Sequence, residues 1–143
     1  MPYKFLDDIA IADIAFEAWG DTLEEMFASA ADATMNVMVS DIDGIERKEN
    51  RTIALKAERM DMLLFDFLQE LIFFKDAEML LLRVENVKIG HNDKFHFVSA
   101  DAYGEKIDPE KHDLIVDVKA VTLHRFKVEQ SERGWHTVVV LDI

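Results

Sequence analysis

Apolar residues dominate positions 9–19 and read as extended chain. There the alternation puts Ile14, Phe16 and Ala18 on one face and Asp13, Ala15 and Glu17 on the other, until Gly20 breaks it. The period then changes. Asp21-Thr22-Leu23-Glu24 has the form of a helix start, with Asp21 as N-cap and Glu24 three residues on. Leu23, Met26, Phe27, Ala30, Ala31, Thr34, Met35 and Met38 follow at helical spacing, which predicts a helix ending near Ser40, before a loop at Asp43-Gly44. A strand over 52–57 and a second helix over 58–74 come next. In that helix Met62, Phe65, Leu68 and Ile72 form a stripe that Leu64, Phe67 and Leu71 widen, so it is covered on more than one face, with Gln69 and Glu70 on its wetter side.

Beyond Met79 the chain is rich in strand formers. Segments 81–89, 94–102, 114–129 and 135–142 are predicted strands, broken at Gly90-His91-Asn92-Asp93 and at Ser131-Glu132-Arg133-Gly134, the latter a hairpin turn. Two separated helices and strands joined mostly by short turns predict an α+β fold. The helices pack on a largely antiparallel β-sheet in a single domain spanning residues 1–143.

The chain has 143 residues, half of them hydrophobic, enough for one real core. Its 29 acidic against 16 basic residues give a net charge of −13, which argues against direct nucleic-acid binding and suits a basic protein partner or divalent cations. The absence of cysteine removes disulfides, thiolate zinc sites and thiol nucleophiles. The first residues lack the apolar run of a signal peptide, and no apolar stretch is long enough to span a membrane; a soluble, cytoplasmic domain is expected.

Phosphate-cradling glycine loops, zinc-protease helices and nucleophile elbows are missing, and His91, His96, His112, His124 and His136 lack the spacing of a zinc motif. The informative positions are charges inside apolar runs: Asp13, Asp142 near the C-terminal Ile143, and Lys119 within Val116-Asp117-Val118-Lys119-Ala120-Val121. A buried carboxylate is costly unless paired or bound to a metal. Asp13, Asp142 and the terminal carboxylate of Ile143 would together form an oxygen-rich site for a hard cation, Ca²⁺ or Mg²⁺. Plainer readings stand beside this one: Asp13 solvent-facing on an edge strand, Asp142 in a frayed end, and Lys119 paired with any of the many acids.

The same residues carry a resemblance that runs the length of the chain. Ala12-Asp13, Trp19-Gly20, Leu23-Glu24-Glu25, the second-helix run Leu63-Leu64 to Glu70-Leu71, Gly104-Glu105, Lys111-His112, Val118-Lys119-Ala120-Val121-Thr122-Leu123-His124 and the terminal Asp142-Ile143 resemble, in order and spacing, the archease family. Two departures are visible: Ala10-Ile11 stand where that family usually has His-Thr, and Leu123 stands where it usually has an aromatic residue.

The resemblance implies a non-catalytic accessory protein of a GTP-dependent tRNA-splicing ligase, one that promotes the ligase's guanylylation and repeated turnover. Asp13 and Asp142 would be ligands of a divalent cation, Ca²⁺ first with Mg²⁺ or Mn²⁺ as alternatives, and Lys119 a functional basic residue beside them. The competing expectations are a general chaperone or independent Ca²⁺-binding protein and, more remotely, a metal-dependent hydrolase built on the same carboxylates.

Overall fold

The computed structural model describes residues 2–6 and 13–143. Its elements run β1 (Tyr3–Leu6), β2 (Asp13–Gly20), α1 (Leu23–Met38), a short 3₁₀ turn (Ile42–Gly44), β3 (Glu49–Ala57), α2 (Met60–Glu78), β4 (Leu80–His91), β5 (His96–Lys106), β6 (Ala120–Ser131) and β7 (Gly134–Asp142). The fold class is the α+β arrangement expected, but the strands divide into two antiparallel sheets, ordered β1-β2-β7-β6 and β3-β5-β4. Residues 9–12 of the expected first strand, including the Ala10-Ile11 departure, lie outside the described residues.

Each helix joins the two sheets. The α1 helix packs on β2 and β7 of one sheet and on β4 of the other, and α2 packs on β3, β4 and β5 and also on β6. Phe16, Phe27, Phe67, Leu81 and Val139 meet in one continuous core, with the Phe27 and Phe67 rings 5.3 Å apart. Burial of this apolar surface is the main stabilising term.

Both helix starts differ from the sequence reading. Thr22, not Asp21, caps α1: its Oγ1 accepts the Glu25 N–H at 3.2 Å, and the Glu25 carboxylate accepts the Asp21 N–H at 2.9 Å. The cap lies one residue later than expected, because either Asp21 or Thr22 can supply the oxygen; Glu25 reaches back one residue beyond the cap, to Asp21. The second helix begins two residues late and runs on to Glu78, ending at Met79 in the left-handed conformation with φ 58°. Its extra turn is held because Lys75 is buried with its ammonium hydrogen-bonded.

The expected strand over 114–129 is paired from Ala120 only. Residues 107–119 are the crossover from β5 in one sheet to β6 in the other. Its backbone is satisfied piecemeal by the end of α1, with Ser40 N–H donating to Asp113 O and Ile115 N–H to Met38 O. Within β6 the register slips between Thr122 and Lys127, where Arg125 has φ 55°. This bulge turns Phe126 onto Phe65 of α2, the rings 5.8 Å apart and nearly perpendicular. The β6–β7 turn expected at residues 131–134 is present, with Ser131 paired to Gly134 at φ 110°, where a Cβ would come 2.4 Å from the Gly20 carbonyl.

Candidate functional site

The second strand and the last strand of the chain are hydrogen-bonded neighbours. Strands β2 and β7 pair in continuous register from Asp13↔Asp142 to Gly20↔Trp135. Directly opposed residues share a face, and faces alternate along a strand. Ile14 with Leu141 and Phe16 with Val139 therefore face the core, while Asp13 with Asp142, Ala15 with Val140 and Glu17 with Val138 share the other face. The alternation expected for residues 13–18 is the one observed.

Asp13 and Asp142 are thus cross-strand partners, both half-buried. The next pair on their face, Ala15 and Val140, is fully buried, so the carboxylates stand beside an apolar floor. Two like charges directly opposed on a ladder repel, and the floor removes part of the solvent that would screen them. Ala120 at the start of β6 also pairs with Asp142, on its other side, and the Lys119 N–H donates to the Asp142 carbonyl at 2.8 Å. Lys119 is exposed, and among the described residues its side chain makes no ion pair. Ile143 follows directly and packs against the core.

The donor chemistry fits a hard cation: two carboxylates, oxygen only, with no ion pair from a basic side chain to either among the described residues. Among the described residues no group of three or more His, Asp or Glu side chains converges on one point, so this pair would bind a cation with further oxygens from elsewhere.

The segment bearing Lys119 is positioned by α2. Lys75 donates to Asp117 Oδ1 at 2.6 Å and to the Val118 carbonyl at 2.7 Å, and also pairs with Asp76. Burial alone pushes the Lys75 ammonium down, but the hydrogen bonds to Asp117 and Asp76 outweigh it, and its pKa lies above the usual lysine value. One turn and a half earlier, Gln69 Oε1 accepts the Val121 N–H at 2.6 Å. Gln69 was expected on the wetter side of α2; it is instead a hook for the strand beside the site. Nothing in the apolar pattern marks Lys75, though a lysine continuing a helix stripe at its far end is the signal that could have found it.

Two further charged networks were not assigned from sequence. Glu105 is buried and accepts from Lys111 Nζ at 2.8 Å and from the Glu46 N–H at 2.8 Å, with His112 Nε2 at 3.2 Å. Burial would raise the Glu105 carboxyl, but these donors outweigh it and hold the pKa down at about 2. The pairs Gly104-Glu105 and Lys111-His112, quoted above as separate pieces of a resemblance, are therefore one structural cluster. Gly104 is required there, since a Cβ would fall 1.8 Å from the Leu81 carbonyl. On α1, buried Asp32 takes a two-pronged ion pair from Arg83, 3.0 Å on each arm, and Arg83 also reaches Asp43. Both networks tie core elements together and lie away from the Asp13–Asp142 pair in the ladder.

No helix among the described residues is long and apolar enough to cross a membrane. The profile of the Archease protein family (MTH1598/TM1083) matches residues 3–143. The chain is 41% identical over 133 residues to Protein archease of Pyrococcus abyssi, covering 92% of this chain and 93% of that one. It superposes on the solution structure of Methanobacterium thermoautotrophicum protein 1598 with a TM-score of 0.84, at 35% identity and over 99% of this chain and 98% of that one. The crystal structure of an archease and possible chaperone from Thermotoga maritima shares the fold, with a TM-score of 0.61 at 21% identity, over 94% and 93% of the two chains. With the family profile matched over nearly its whole length and close relatives of equal extent, this chain belongs to the archease family.

Proposed function

We propose that this chain is a non-catalytic, metal-binding accessory protein that promotes guanylylation and multiple turnover of a GTP-dependent tRNA-splicing RNA ligase. The observation that carries the reading is the direct pairing of Asp13 with Asp142. Both are charges within apolar strands, and Ala12-Asp13 and Asp142-Ile143 resemble pieces of the family pattern.

Asp13 and Asp142 hold the cation, with further oxygen donors from outside the pair. Ca²⁺ suits this flexible, all-oxygen set best, with Mg²⁺ or Mn²⁺ as alternatives. When bound, the cation supplies positive charge that neutralises the pair and can bridge to an anionic group of the ligase. Lys119, exposed and fixed through its backbone to Asp142, adds a basic contact at the rim. The net charge of −13 steers the protein toward a basic, RNA-binding partner, and the protein itself makes no direct nucleic-acid contact. Its place of work is the cytoplasm.

The test is RNA ligation by the cognate ligase with GTP and metal, under substrate excess, with and without this protein. The reading predicts single-round joining without it and many rounds with it. A second reading, a general chaperone, draws on exposed Leu114, Ile115 and Val116 beside a groove of about 220 Å³. Protection of unrelated unfolded clients, with no effect on an active ligase, would favour it.

A further inference from the structure

The histidines, scattered in sequence, are not all scattered in space. His91 ends β4 and His96 begins β5, and they are direct register partners with ring centroids 5.9 Å apart, inclined at 47°. The turn between them is locked: Asn92 Oδ1 accepts the N–H groups of Lys94 (3.0 Å) and Phe95 (2.8 Å), and the Asn92 N–H donates to Phe95 O at 2.9 Å. With Asn92 and Phe95 backbone-bonded, ladder alternation makes the histidine pair the non-hydrogen-bonded kind, in which facing side chains stand closest. Both histidines line an open pocket of about 390 Å³ together with Asp21, Glu24 and Trp135. Among the described residues His96 Nδ1, a buried atom, has no hydrogen-bond partner.

An unpaired buried ring nitrogen costs stability in the free protein unless something binds it. Two imidazoles sharing one tetrahedral metal at about 2.0–2.1 Å have centroids about 5 Å apart, so these rings, 5.9 Å apart, need only a small side-chain adjustment to share one. Imidazole nitrogen selects Zn²⁺, Ni²⁺ or Cu²⁺ over Ca²⁺ and Mg²⁺. The acidic wall adds a favourable field for a cation. We propose that His91 and His96 form a second metal site, for a Zn²⁺-class transition-metal ion, separate from the Asp13–Asp142 pair. Among the described residues no third His, Asp or Glu converges with them, so solvent completes the coordination and the site is an open one. Trp135, on the wall of this cavity, lies seven residues along β7 from Asp142, about 24 Å at strand spacing, so the two sites do not share ligands.

The site is tested by calorimetric titration of the full chain with Zn²⁺ in Ca²⁺-containing buffer. One Zn²⁺ per chain is expected. Its affinity should fall by about tenfold or more in His91→Ala and in His96→Ala, because each removes a ligand held at high effective concentration. It should be unchanged in Asp13→Asn. Zn²⁺ affinity equal to wild type in a folded His91→Ala protein, or no binding up to millimolar Zn²⁺, overturns the proposal. A mapping on the unmodified protein covers the case of a misfolded variant. Substoichiometric Cu²⁺ should broaden amide resonances of residues 21–24, 89–97 and 135 first, and broadening centred instead on Glu17 and His136, whose side chains lie 2.9 Å apart, also overturns it.

Discussion

Asp13 and Asp142, far apart in sequence, are direct partners across the β2–β7 ladder, and among the described residues no basic side chain pairs with either. The β2–β7 pairing forms the centre of the four-stranded sheet, and its last pair sets two like charges at one end of that ladder. A folded chain that keeps such a pair gives up some stability for it, and on the proposed reading a divalent cation would return it.

The first prediction follows from that cost. In chelator, Asp13→Asn and Asp142→Asn should melt at or above the wild-type temperature, because each removes a repulsion. In Ca²⁺ at a hundred times its dissociation constant the wild type should gain about 2.7 kcal/mol, or several degrees, and the variants little. Calorimetric melting with and without Ca²⁺ measures both.

The segment that carries Lys119 should depend on α2. Lys75→Met leaves the Val118 carbonyl and Asp117 without their donor and should cost about 1–3 kcal/mol in denaturant unfolding. Gln69→Ala frees the Val121 N–H and should cost about 1 kcal/mol, with faster hydrogen exchange at Val121.

A pH signature belongs to Glu105. Its folded pKa of about 2 lies below the ordinary glutamate value of about 4.3, so its contribution is fully present above pH ~4.3 and is lost as pH falls toward 2. Glu105→Gln should be less stable than wild type by about 1–3 kcal/mol at neutral pH. The gap should close between pH ~4.3 and 2, read from urea midpoints across that range.

Met79 offers a gain. It ends α2 in a left-handed conformation, φ 58°, with its side chain half exposed. Met79→Gly should relieve the Cβ strain and stabilise the fold by about 1 kcal/mol, raising the melting temperature by a few degrees.

What sequence reveals here divides by range. The α1 stripe, the face alternation of residues 13–18 and the 131–134 turn are local patterns, and the structure has them. The cap of α1 moved by one residue because Asp21 and Thr22 are chemically equivalent candidates. Leu114, Ile115 and Val116 read as strand since they are β-branched or large and apolar, yet they bridge two sheets and stay exposed. The division into two sheets is a matter of which strands pair, and a period of two carries no partner's name. The same holds at the candidate site. That Asp13 and Asp142 were anomalous could be seen from their apolar neighbours; that they meet depends on the β2–β7 register. Gln69 reads as a wet-side residue and Lys75 goes unmarked because their partners are backbone atoms and a side chain some fifty residues away or less.

The most direct test of the central claim is multiple-turnover ligation by the cognate ligase with wild type, Asp13→Asn and Asp142→Asn, each verified as folded by circular dichroism. The account predicts that wild type raises turnover strongly and that either substitution abolishes most of the increase. Full stimulation by both variants would contradict it, leaving the carboxylate pair without the role assigned to it.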